Sequence, residues 1–156
     1  IFGLEDFLIN NIAWLLRTLP VFGLIGSGKY LIRPIYVEDL ANLAVDAAQE
    51  RKNTVVDAVG PESFTFRELV ELIKEKIGGR AFLIPIPPGV AYLASRAIGT
   101  AVGDVVLTSD EVAGLTAGLL HVEGAPAGGT SFSEWLERNS QQLGRNYASE
   151  MERHYR

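Results

Sequence analysis

Apolar residues return at helical spacing soon after the start of the chain. Leu8, Ile12, Leu15, Leu16 and Leu19 follow the acidic pair Glu5 and Asp6, and Pro20 closes that helix. Val21 to Ile25 is a short apolar run ended by the turn Gly26-Ser27-Gly28. An extended stretch then leads to Tyr36 and Val37. Glu38 and Asp39 open a second helix, over about 38–49, where carboxylates face the positive end of the helix dipole. Its buried stripe is predicted to be Leu40, Leu43, Ala44 and Ala47, small enough to pack closely on a sheet. After the polar turn Arg51-Lys52-Asn53, residues Thr54 to Val59 are apolar on nearly both faces. That is the pattern of a strand covered by helices on each side, and Asp57 is its only charge.

Gly60-Pro61-Glu62-Ser63 turns the chain, and Thr65-Phe66-Arg67-Glu68 opens a helix with a capping box, in which side chains satisfy otherwise free backbone amides. Phe66, Val70, Ile73 and Ile77 form its stripe, and Gly78-Gly79 stop it. Ala81 to Ile86 is β-like but carries Pro85, which places it at a sheet edge or as a strand that leaves the sheet early. Pro88 suits the first turn of a further helix with Val90, Ala94, Ala97, Ile98 and Ala101 on one face. Two more capping boxes, Thr108 to Glu111 and Ser131 to Glu134, precede apolar-periodic runs, and the Gly-, Ala- and Pro-rich stretch from His121 to Thr130 reads as a loop. The last helix is predicted over about Ser133 to Tyr155, through Leu136, Leu143, Tyr147 and Met151, with Arg153, His154 and Arg156 at the negative end of its dipole.

Composition narrows the picture. A chain of 156 residues is one domain on size alone and buries roughly 70% of its unfolded surface. Apolar content of 47% and charged content of 21% exclude disorder and a coiled coil. Lys and Arg are outnumbered 14 to 19, which argues against nucleic acid as a partner. The chain has no cysteine, so disulfides and thiolate chemistry are excluded, and a reducing, cytoplasmic setting is expected. The most apolar window, Phe82 to Leu107, is broken by Pro85, Pro87, Pro88, Arg96 and Asp104, so no membrane span is expected. The start at Ile1, with neither an initiator methionine nor a signal peptide, suggests a fragment.

Few residues suggest chemistry by themselves. Gly26-x-Gly28 lacks a third glycine and is followed by Arg33-Pro34 where a phosphate-binding helix would begin, so it reads as a turn. His121 and His154 lie in a loop and near the chain end, and no cluster has metal-ligand spacing, so no metal is expected. No Gly-x-Ser-x-Gly elbow is present. Asp57 either orients a ligand at a strand end or caps nearby amides. The helix from Pro88 to Ala101 either lines a pocket for an apolar ligand or packs tightly.

Several stretches, in this order, resemble the extended short-chain dehydrogenases and their atypical relatives. Ile1-Phe2-Gly3 is similar to the tail of the Arg-Pro-x-x-hydrophobic-aromatic-Gly segment that begins their C-terminal half. Gly26 to Ala41 resembles the glycine turn and the strand-to-helix junction Val-x-Asp-hydrophobic-Ala beside the substrate pocket. Val55 to Glu62 resembles a strand ending in Gly-Pro-Glu, with Thr65 to Leu69 as the helix start after it. Leu83 to Pro87 is similar to a hydrophobic-Pro-hydrophobic-Pro segment, and Ser131 to Leu136 to a closing Ser-hydrophobic-x-Glu-x-Leu helix. The resemblance implies the C-terminal part of a Rossmann-type α/β fold with a mostly helical substrate-binding lobe. It also implies an NAD(P)-dependent epimerase-, dehydratase- or reductase-like parent whose nucleotide-binding half lies in roughly 150 residues upstream.

Departures from that family bear on function. The fingerprint Gly-x-x-Gly-x-x-Gly and the Tyr-x-x-x-Lys pair are absent: Tyr30 is followed four residues later by Pro34, and Tyr92 by Arg96. No catalytic residue is therefore assigned, and NAD or NADP is expected only in the full-length protein. Pro34 stands where sugar-nucleotide epimerases carry an acidic residue. The run to Asp39 is more like the atypical branch that includes a respiratory complex I accessory subunit, which points away from a nucleotide-sugar substrate. The resemblance makes Arg33, Asn10 and Tyr36 candidates for a small-molecule substrate, and Phe2 and Gly3 candidates beside the cofactor. For Arg33 the alternatives are a clamp on an anion or a salt bridge to Glu38, Asp39 or another carboxylate. The rival reading is a non-catalytic binding or assembly module. With the other half absent, exposed edges are expected to favour a homodimer.

Overall fold

The computed structural model describes residues 1–51, 53–106 and 108–149. Its helices are α1 (Phe7–Thr18), α2 (Val37–Gln49), α3 (Phe66–Ile77), α4 (Pro88–Val102), α5 (Ser109–Thr116) and α6 (Phe132–Asn139). Its strands are β1 (Val21–Ile25), β2 (Leu31–Ile32), β3 (Phe64–Thr65) and β4 (Phe82–Ile86). The fold is mixed α/β. Among the described residues no helix is long and apolar enough to cross a membrane.

Local signals set most helix ends. The Asp6 carboxylate accepts from the Ile9 amide at 2.6 Å and caps α1, and Leu19 ends it before Pro20. The Thr65–Glu68 and Thr108–Glu111 capping boxes form reciprocally at the starts of α3 and α5. Gly78, at φ +68°, closes α3 in the left-handed conformation that costs glycine least. Ser131 caps α6 from one side only, and the Glu134 carboxylate that would complete a box accepts from Arg138 at 2.9 Å instead.

β1 and β4 pair in parallel, from Val21 opposite Phe82 to Ile25 opposite Ile86. The Phe82 amide donates to Pro20, so alternation turns the amide positions of Leu83 and Pro85 to the open side of the sheet. Pro85 therefore forfeits no ladder hydrogen bond, and its place on an edge strand is as expected. β2 and β3 form a second, antiparallel pair, Leu31 with Thr65 and Ile32 with Phe64. The core runs from α1 through α3 to α6. At one end Phe2 sits fully buried, its ring 5.1 Å from that of Phe132 and 5.2 Å from that of Trp135.

Five expectations need correction. α1 buries Ile9, Ile12, Ala13 and Leu16, whereas Leu8, Leu15 and Leu19 lie on a neighbouring face that borders a cavity. α2 forms where expected but buries none of its residues. Thr54 to Val59 is not a strand: among the described residues no neighbouring strand offers it hydrogen bonds, and Val55 is 97% exposed. α4 turns Ala91, Ser95 and Gly99 inward in place of Val90, Ala94, Ala97 and Ala101, because close packing selects its smallest face. The last helix stops at Asn139 and the chain continues in turns, with Gly144 at φ +66°. Lys52, Leu107 and Glu150 to Arg156 lie outside the described residues.

Candidate functional site

α1, α4, α5 and the β1–β4 pair line an apolar pocket of about 440 Å³ that is open to solvent on one side. Its walls include Leu15 of α1, Phe22 of β1, Ile86 of β4, Ala91 and Ile98 of α4 and Leu115 of α5. Small residues on the inner face of α4 account for the space, since Ala91 and Ser95 bring the helix in without filling the gap beside the sheet. The polar groups along the wall are engaged with the protein. The Ser95 hydroxyl donates to the Tyr92 carbonyl at 2.8 Å. Asp104 accepts from the Val105 amide at 2.8 Å and from the Tyr147 hydroxyl at 3.1 Å. Glu111 holds the Thr108 amide and hydroxyl, and Asn11 exchanges two hydrogen bonds with the Ala148 backbone. No Lys, Arg or His lines the cavity among the described residues.

Arg33 lies elsewhere, at the junction before α2. Its Nε donates to the Gly60 carbonyl at 2.9 Å, and its Nη1 donates to the carbonyls of Val122 and Gly124, both at 3.0 Å. Neither Glu38 nor Asp39 pairs with it among the described residues. Asp39 instead accepts from the Thr130 amide at 2.7 Å, and the Ala127 and Gly128 amides donate to Val59. The Gly- and Ala-rich loop 121–130 is thus fastened to the junction by Arg33, Asp39 and Val59.

The other candidates are dispersed. Asn10 on α1 accepts from the Gly144 amide at 2.9 Å and donates to the Asn146 carbonyl at 3.0 Å, so with Asn11 it holds the chain after α6 against α1. Tyr36 is the residue before α2, its ring 5.4 Å from that of Phe2. Partial burial, then the charge and hydrogen bond of Glu38 and the charge of Asp39, push its phenol above the ordinary range. Phe2 is enclosed in the core, and a Cβ on Gly3 would meet the Val37 side chain at 2.8 Å. The structure therefore brings Tyr36, Phe2 and Gly3 together but leaves Arg33 and Asn10 apart. None of the five lines the apolar cavity.

Sequence reasoning missed the part played by Glu62. Its carboxylate accepts from the Ser133 hydroxyl at 2.6 Å, the Ser133 amide at 2.9 Å and the Ser131 hydroxyl at 2.9 Å, joining the turn after residue 60 to the start of α6. Burial alone would raise its pKa. The hydrogen bonds from Ser133, Ser131 and the Phe132 amide outweigh that and hold it below the ordinary value. With the folded-state pKa depressed, the stabilisation is present above the unfolded-state pKa and is lost as pH falls through the folded one. Glu62→Gln is accordingly expected to flatten the acid limb of a plot of melting temperature against pH, with its largest effect near neutrality. An unchanged acid limb would count against this account.

The Gly26-Ser27-Gly28 turn is no phosphate site. The carbonyls of Gly28 and Tyr30 accept from the Arg67 and Phe66 amides, so they already occupy the positive end of α3. No group of three or more His, Cys, Asp or Glu able to hold a metal occurs among the described residues. The chain matches no protein-family model and no curated protein.

Proposed function

We propose that the chain is the substrate-side portion of a larger NAD(P)-dependent epimerase-, dehydratase- or reductase-like protein, and that a Rossmann-type nucleotide-binding half completes its sheet. The observation that carries this reading is the bare surface of α2 and residues 53–58. α2 is amphipathic, yet none of its residues is buried, and Val45, Val55 and Val56 are exposed beside the extended segment. Covering an aliphatic side chain of that size stabilises by about 1.5–3 kcal/mol. An apolar segment with no ladder partner is a template for a neighbouring strand. In isolation a second copy of the chain is the partner this surface favours.

The residues present do not fit a dinucleotide. Among the described residues no glycine turn opens a helix, and the side chain of Phe2 is enclosed. On this reading the pyrophosphate site and the catalytic pair belong to the other half, and no hydride step is derived for this chain. A second reading, the non-catalytic binding or assembly module, is favoured by Arg33, whose Nε and Nη1 donate to backbone carbonyls.

The test is the coding sequence upstream of Ile1. A Gly-x-x-Gly-x-x-Gly fingerprint followed by Tyr-x-x-x-Lys is the expected result. A fingerprint without the pair favours the module, and neither motif would overturn both readings. Calorimetry of residues 1–156 with NAD or NADP is expected to give no sub-micromolar binding, and tight binding would place the nucleotide site on this chain after all.

A further inference from the structure

We propose that the pocket binds an extended peptide segment with apolar side chains, which adds to the β1–β4 sheet as a third strand along the free edge of β1. The Phe82 amide donates to Pro20 and the Gly26 amide donates to Ile86, so alternation turns the backbone of Phe22 and Leu24 toward β4 and that of Val21, Gly23 and Ile25 away from it. The Ile25 carbonyl accepts from the Gly28 amide. The amides of Val21, Gly23 and Ile25 and the carbonyls of Val21 and Gly23 have no hydrogen-bond partner among the described residues.

These groups border the pocket. β4 contributes Ile84 and Ile86, one parity of the strand and hence one face, whereas β1 contributes Val21, Phe22, Gly23 and Ile25, which are both parities. The pocket therefore extends from the face of the sheet round the outer edge of β1. Val21 is 41% exposed and Gly23 is half-buried, so a guest reaches them from the open side. Backbone groups left unpaired beside apolar walls are costly, and a guest that pairs them removes that cost.

Spacing selects the guest. The free groups recur at every second residue, about 6.6 Å apart, so a compact ring compound meets one set while an extended peptide meets them in succession. Its side chains on the pocket side lie among Leu15 and Leu19 of α1 and Ala94 and Ile98 of α4, which makes alternate positions apolar. The other edge of the sheet offers no equal site. There the groups turned outward belong to Leu83 and Pro85, and Pro85 has no amide to give. Among the described residues none of α2 or of 53–58 lines the pocket, so the inference stands apart from the proposed function and its failure leaves that reading untouched.

The experiment titrates the full chain into a capped, fluorescein-labelled peptide, Lys-Val-Thr-Val-Thr-Val-Lys, read by fluorescence anisotropy, and repeats it with two analogues N-methylated at alternate amides, one for each parity. The parent peptide is expected to bind. Methylation of one set of amides is expected to weaken binding about tenfold or more, and methylation of the other set to change it by less than about twofold, because only one set faces β1. Val21→Pro removes an outward amide at the first residue of β1, where no ladder bond is lost. It is expected to weaken binding about tenfold or more with an unchanged circular dichroism spectrum, while Val21→Ala, which keeps the amide, stays within about threefold. Should Val21→Pro misfold, the two methylated peptides carry the test. No binding of the parent peptide, equal affinities of the two analogues, or full binding by a folded Val21→Pro protein would overturn the proposal.

Discussion

Replacing Arg33 with alanine is expected to lower stability by about 2 kcal/mol, read as a fall in melting temperature of roughly 4–8 °C. The guanidinium donates to three carbonyls, and the one at Gly60 belongs to a buried residue that water does not readily reach. Removing the donor leaves that acceptor unpaired and frees one end of loop 121–130. Arg33→Lys should recover only part of the loss, because a single ammonium cannot serve the Nε and Nη1 directions together. The measurement is thermal unfolding of both variants. An unchanged melting temperature combined with weaker binding of an anionic substrate in the full-length protein would return Arg33 to the role of ligand clamp.

Gly144→Ala is expected to cost more, about 4 kcal/mol or beyond. At φ +66° the position disfavours any side chain, and a Cβ would lie 2.5 Å from the Trp14 amide nitrogen and in collision with the Ala13 carbonyl carbon. Both are backbone atoms inside α1 and cannot turn aside. The chain after α6 would have to lift away, breaking the hydrogen bonds that Asn10 and Asn11 make to Gly144, Asn146 and Ala148. Gly78→Ala is the control. Its φ of +68° is nearly the same, but a Cβ there meets nothing within 4 Å, so only the conformational cost remains, about 1–2 kcal/mol. Urea unfolding of the two variants should separate them clearly. Equal losses would mean that the approach of Gly144 to α1 contributes nothing.

Features decided by a few neighbouring residues were legible in advance. The Asp6 cap was not foreseen as such, but the Thr65 and Thr108 boxes, the stops at Pro20 and Gly78, and the edge position of β4 all followed from local chemistry. Features decided by a distant partner were not legible. The stripe of α2 and the apolar run from Thr54 to Val59 carry the composition of buried elements, but burial depends on a covering layer. In α4 nearly every position is apolar or small, so periodicity could not choose between its faces. Beyond Asn139 the apolar period continues through Leu143 and Tyr147, but Gly144, at φ +66°, breaks the helix that this period suggests. At the candidate site, Arg33 was singled out, but its carbonyl acceptors at residues 60, 122 and 124 leave no mark on side-chain identity. Glu62 stood inside a quoted motif, yet its partners Ser131 and Ser133 lie about seventy positions away.

The parallel pairing of β1 with β4 also imposes an order of assembly during synthesis. An antiparallel hairpin closes as soon as its second arm is made, but Val21 to Ile25 must wait for Phe82 to Ile86, about sixty residues further along the chain. At the roughly 5–20 residues per second at which chains are extended, the wait lasts several seconds. During that time α1 and β1 emerge with no ladder to join, and Phe22, Leu24 and Ile25 lack the cover they have in the finished fold. α3, which packs on α1 and is made before β4, is the element placed to shelter them in the interval.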